Sequence, residues 1–173
     1  MNFRKVSIVA VVIFLAIAAV AQGNRGTAEV TIKGRKISID YGRPPLASHS
    51  ISELPVGQVW RLGMNEATRL DTAADLGVGT TTVKAGKYTL WVKRTGEDAW
   101  ALAFHPKTEG NNGKPLWGAP PQTAGFIAET PLKHSKAKDS VDQVTISLAD
   151  AKGKAAIKVQ WGTDVLAGTL DVK

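Results

Sequence analysis

The sequence predicts an all-β protein, a single antiparallel β-sandwich of jelly-roll-like type with about nine to eleven strands. Three observations carry that expectation. Past residue 21, apolar residues recur at every second position, the spacing of a strand with one buried face. The runs are short and are separated by turn-forming residues; the 173-residue chain holds 17 glycines and 8 prolines. No stretch after residue 21 carries the 3.6-residue period of an amphipathic helix, although residues 48–54 suit one short turn.

Residues 1–21 differ from the rest. Arg4 and Lys5 precede an uncharged apolar run, and Ala19-Val20-Ala21 gives the small–x–small pattern of a signal-peptidase site. The run is shorter than the roughly 20 residues that span a bilayer. A cleavable signal helix over 1–21 is expected, followed by one domain over 22–173, periplasmic or secreted and not membrane-spanning. Cleavage takes away two bases and no acid, so the formal charge of +7 becomes +5.

The first strands are expected at 28–33, with Ala28, Val30 and Ile32 inward, and at 36–41, with Ile37, Ile39 and Tyr41 inward. Further strands fit 59–63, 67–72, 76–83, 88–94 and 99–105. The C-terminus reads as a three-stranded meander over 144–149, 155–161 and 166–172, with turns at 150–153 and 162–164. Trp60, Tyr88, Trp100 and Trp161 fall on apolar faces and are expected in the core. Two long irregular stretches, 43–57 and 106–125, hold most of the prolines. Loops of this length often carry function or pack over a sheet.

Composition excludes several functions. The chain has no cysteine, which removes disulfides, thiolate zinc sites and thiol catalysis. Its bases are interleaved with acids rather than blocked, which argues against nucleic acid as a partner. His49, His105 and His134 lack metal-ligand spacing, and a site joining one of them to Asp40 has little support. There is no Gly-x-Ser-x-Gly elbow and no phosphate-binding glycine motif. No cofactor, metal or catalytic residue is assigned.

Two constellations are candidate ligand sites. Arg43, Arg61, Asn65 and Glu66 form the first. Arg43 and Arg61 could grip an anion or a sugar, or one of them could clamp carbonyls of the 43–57 loop while Asn65 sets a turn. The second is Trp91 on the outer face of the 88–105 hairpin, with Ala101, Ala103 and His105 beside it. That face is either a shelf for a sugar ring or a surface covered by the 106–125 loop.

The segments Asp40-Tyr41-Gly42-Arg43-Pro44, Val59-Trp60-Arg61-Leu62-Gly63-Met64-Asn65-Glu66-Ala67-Thr68 and Ala85-Gly86-Lys87-Tyr88-Thr89-Leu90 follow one another in this order. With Trp100 beyond them, they resemble the exported bacterial family catalogued as domain of unknown function 2911. The resemblance runs from about Val30 to the C-terminus. It implies an extracytoplasmic β domain and no particular activity. The chain departs from the family at Ser48-His49-Ser50-Ile51, where Gly-Arg-x-Ile is usual.

Residues and resemblance together lead to an exported, non-enzymatic binding module for a small polar ligand, a glycan or an envelope partner. The alternatives are a hydrolase or lyase of an envelope or extracellular substrate, and a purely structural interaction domain.

Overall fold

The computed structural model describes residues 24–46, 49–117 and 125–173, so the expected signal segment lies outside the described residues. Ten strands account for most of them: β1 (Arg25–Ile32), β2 (Arg35–Gly42), β3 (Val59–Trp60), β4 (Thr68–Thr72), β5 (Leu76–Val78), β6 (Thr81–Val83), β7 (Gly86–Arg94), β8 (Trp100–His105), β9 (Ala128–Ala151) and β10 (Lys154–Val172). A 3₁₀ turn, Ile51–Glu53, sits where a short turn was expected.

The strands form one antiparallel sheet in the order β1-β2-β4-β7-β8-β9-β10-β5-β6, with β3 attached to β7. The sheet doubles over along β9. Residues 128–132 pair with β8, and residues from 133 onward pair with β10. β1 then packs back against β9, and Tyr41 Oη donates to the Ile146 carbonyl 3.4 Å away across the join. The result is the expected all-β sandwich. Its jelly-roll-like feature is the passage of the chain between layers: β4 leads to the β5–β6 hairpin of the second layer before β7 returns beside β4.

Strand alternation sets the core. Ile37, Ile39, Leu70, Leu90, Val92, Leu102 and Phe104 face inward from the first layer. Val144, Ile146, Ile157, Val159, Leu166 and Leu170 meet them from the second. Each such side chain stabilises the fold by about 1.5–3 kcal/mol relative to exposure. Lys33-Gly34 and Lys152-Gly153, all at positive φ, make the two-residue turns that fix the β1–β2 and β9–β10 registers.

The structure corrects several expectations. The C-terminal meander has two strands, not three. Gly162, at φ 60°, lies in a bulge within β10, and the strand continues past it, pairing with β9 on both sides. Residues 76–83 form a hairpin rather than one strand, because Gly79 turns the chain at φ 58°. The strand expected over 59–63 stops at Trp60, since Leu62 at φ 58° leaves the extended region. The first half of β9 has no counterpart among the expected strands. Trp100 and Trp161 are buried, but Trp60 and Tyr88 are only half-buried. Trp60 stacks on Trp161 with ring centres 5.7 Å apart.

Candidate functional site

The outer face of β2, β4 and β7 is polar because the residues between the inward apolar ones are Ser38, Asp40, Arg69, Asp71, Lys87 and Thr89. Register turns them into rows. Ser38 lies opposite Asp71, and Asp71 opposite Lys87. Asp40 lies opposite Arg69, then Thr89 and His105 follow.

The 106–117 loop folds over this face. It closes on itself through Leu116 N–H to the Thr108 carbonyl (3.0 Å) and Gly110 N–H to the Lys114 carbonyl (2.9 Å). It docks through Ala67 N–H to the Leu116 carbonyl (2.8 Å) and through an antiparallel bridge between Glu66 and Trp117. Beneath it lies a cavity of about 340 Å³ bounded by Asp40, Arg69, Asp71, Lys87, Thr108 and Glu109.

One end of the cavity is held by an ion cluster. Asp40 accepts hydrogen bonds from both Arg25 Nε (2.9 Å) and Arg25 Nη2, and from Arg69 Nη2 (2.9 Å). Glu66 lies 3.8 Å from Arg25 and 3.6 Å from Arg69. Burial pushes the Asp40 carboxyl up, but the two guanidiniums outweigh burial and hold it below the ordinary carboxylate range. Asp40 is therefore a fixed anion and Arg69 an engaged cation. Asp71 and Lys87, 4.0 Å apart and exposed, are free to exchange each other for a ligand, and Glu109 and the Thr108 hydroxyl stand beside them, while the Ser38 hydroxyl donates to Glu29 (3.2 Å).

Of the six residues singled out from the sequence, Glu66 joins this cluster. Arg43 Nε donates to the Val144 carbonyl (3.4 Å), while among the described residues Arg61 reaches only the Asn65 carbonyl (3.5 Å). The two arginines share no contact. Asn65 sets a turn at φ 62°, as its side chain favours. Trp91 offers no shelf. It is fully buried beneath Leu116 and Phe126, and its Nε1–H donates to Thr89 Oγ1 (3.0 Å). His105 is buried too; its Nδ1 accepts from Lys107 N–H (2.9 Å) and so anchors the start of the loop. Burial, aided by the Lys107 charge, pushes the His105 pKa down and keeps the ring neutral.

The clamp on the 43–57 loop that Arg43 or Arg61 was expected to supply is Arg94. Its Nη1 donates to the Ser52 and Leu54 carbonyls, Nη2 to Glu97 and Nε to Gly96, and the guanidinium lies 5.1 Å from the Trp100 ring centre. Nearby, Ser52 donates to Asp164 Oδ2 (2.9 Å), and His134 and Lys136 reach Oδ1 at 2.7 and 2.6 Å. This is not a Ser-His-Asp relay, because the carboxylate rather than the imidazole stands in the middle. Among the described residues, no group of His, Asp and Glu has the geometry to hold a metal.

Sequence reasoning passed over Arg25, Arg69, Asp71 and Lys87. Their signal was present as polar residues on one face of three strands, but it becomes a site only once β4 is known to lie between β2 and β7.

The family described as "Protein of unknown function (DUF2911)" matches residues 24–168. No curated protein and no solved structure matches the chain.

Proposed function

We propose, from the premise that the chain belongs to this DUF2911 family, that it is an exported module binding a small polar ligand beneath the 106–117 loop. The carrying observation is the cavity itself: walls that mix charged side chains with Leu70, Tyr88 and Pro115, set on three hydrogen-bonded strands, with one charge cluster already locked in place. Sites on a rigid sheet bind without the ordering cost of a mobile surface. The facing charges are nearly balanced, with Asp40, Asp71 and Glu109 against Arg69 and Lys87. That balance favours a neutral or zwitterionic ligand over a simple anion. Asp40 is tied to two arginines that hold its pKa low, so it is poorly suited to move a proton, which favours binding over catalysis. Export, to the periplasm or medium, is supported by the charge, length and small–x–small pattern of residues 1–21.

The full chain is expressed in a bacterial host and the exported product purified. A panel of sugars, amino acids and polyols is then scored by thermal shift and by backbone NMR. Saturable shifts at Asp71, Lys87 and Thr108, lost in Asp71→Ala/Lys87→Ala at unchanged melting temperature, are expected. Shifts that map elsewhere, or that survive the double variant, overturn the proposal. The exported product should begin at Gln22; an intact Met1 overturns export.

A further inference from the structure

The most exposed large apolar side chain among the described residues is Trp117, at 65%. An exposed indole is uncommon enough to need a reason. It sits on the same loop that roofs the polar cavity, and its placement follows from backbone pairing. Glu66 and Trp117 are antiparallel bridge partners, and such partners project from the same face of the ribbon. Glu66 turns toward Arg25 and Arg69 at the cavity end, so Trp117 rises on that side too.

Around Trp117 lies a second, shallower hollow of about 380 Å³ formed with Lys107, Asn111, Asn112 and Pro115. Pro115 is the wall common to both hollows. The two are therefore neighbours along one hairpin-like loop, not separate sites.

The chemistry of the outer hollow is specific. An indole face is apolar and electron-rich, and it packs against the C–H face of a pyranose ring. The carboxamides of Asn111 and Asn112 each carry a donor and an acceptor, matching adjacent hydroxyls. Lys107 adds a further donor. The inner cavity continues the pattern with hydroxyls, carboxylates and one exposed ammonium.

We propose that the ligand is a neutral oligosaccharide, one ring stacked on Trp117 and the chain passing Pro115 into the cavity beneath the loop. The proposal rests on reading that cavity as the ligand site, and it names the ligand's class and its outer contact.

The test uses hexamers of β-1,4-linked glucose and of β-1,4-linked N-acetylglucosamine, with their monosaccharides, measured by calorimetry and NMR. At least one hexamer should bind more tightly than its monosaccharide. Trp117→Ala should weaken the hexamer about tenfold, with melting temperature unchanged because the side chain is exposed. Trp117→Phe should restore part of the loss. Asp71→Ala/Lys87→Ala should weaken both hexamer and monosaccharide. A hexamer whose affinity is indifferent to Trp117 overturns the proposal. So does the failure of both hexamers while another polar small molecule still shifts Asp71 and Lys87, and the cavity reading then stands. If nothing in either panel binds, both readings fail.

Discussion

Arg94 Nη1 lies 2.7 Å from the carbonyl oxygen of Leu54 and 2.9 Å from that of Ser52, so one guanidinium at the end of β7 holds a loop forty residues earlier in the chain. The same group closes the β7–β8 turn through Gly96 and Glu97. Lysine cannot reproduce this fork. Arg94→Lys should lower stability by about 1.5–3 kcal/mol, the worth of hydrogen bonds to a charged group. Arg61→Lys should stay within about 0.5 kcal/mol of the parent. Urea denaturation midpoints check both, and equal losses would return the clamp to Arg61.

Gly42 and Gly63 are fixed by the close approach of two chain segments. A Cβ on Gly42 would meet the Met64 carbonyl oxygen at 2.1 Å, and one on Gly63 would meet that of Gly42 at 2.7 Å. The two backbones touch, so neither position has room for a methyl group. Gly42→Ala should cost at least about 1–3 kcal/mol, the range for overpacking against atoms that cannot yield. Gly34→Ala, with open space around its Cβ, should show only the smaller strain of its positive φ. Thermal melts of the two variants make the comparison.

The legible parts of the fold are those where alternation and turn chemistry agree. β1 and β2 alternate cleanly about Lys33-Gly34, and in the β7–β8 hairpin Leu90, Val92, Leu102 and Phe104 share the core face. The start of β9 was illegible because its inward positions are Ala128, Thr130 and Leu132, with an outward Pro131 between the last two. Too little of that segment is strongly apolar to set a period. Gly162 marks a bulge, yet in sequence a bulge glycine and a turn glycine look alike. The site was harder still. Asp40 and Arg69 are 29 residues apart, and only the insertion of β4 between β2 and β7 joins them.

Trp91 is core rather than surface. It is completely covered, and its indole N–H is satisfied by Thr89. Trp91→Ala should cost about 3–5 kcal/mol, as for a truncated core aromatic. It should also loosen the 106–117 loop, whose Leu116 packs on it. Hydrogen exchange at Ala67, which donates to Leu116, reports that loosening. Exchange unchanged at Ala67, with stability intact, would show that the loop holds without Trp91.

Stability should fall with acid in two separate windows. The first belongs to His105, whose pKa is pushed down by burial and by Lys107. The unfolded chain takes up this proton more readily than the folded one. The contribution is whole above the unfolded value of about 6.5 and is lost as pH falls through the lower folded value. The second includes Asp164 alongside Asp40. Burial pushes the Asp164 carboxyl up, but hydrogen bonds from Lys136, His134 and Ser52 outweigh burial and hold it below the ordinary range. Its contribution is whole above about pH 3.9 and is lost as pH falls through the folded value. Asp164→Asn should therefore be less stable than the parent at pH 7, by about 1–3 kcal/mol, because a nearly buried acceptor of three hydrogen bonds has lost its charge. The two proteins should converge as pH drops below 4, while the His105 window stays in both. Denaturation midpoints from pH 8 to pH 2 measure this, and a constant gap between parent and variant across that range would show that the Asp164 charge adds nothing to the fold.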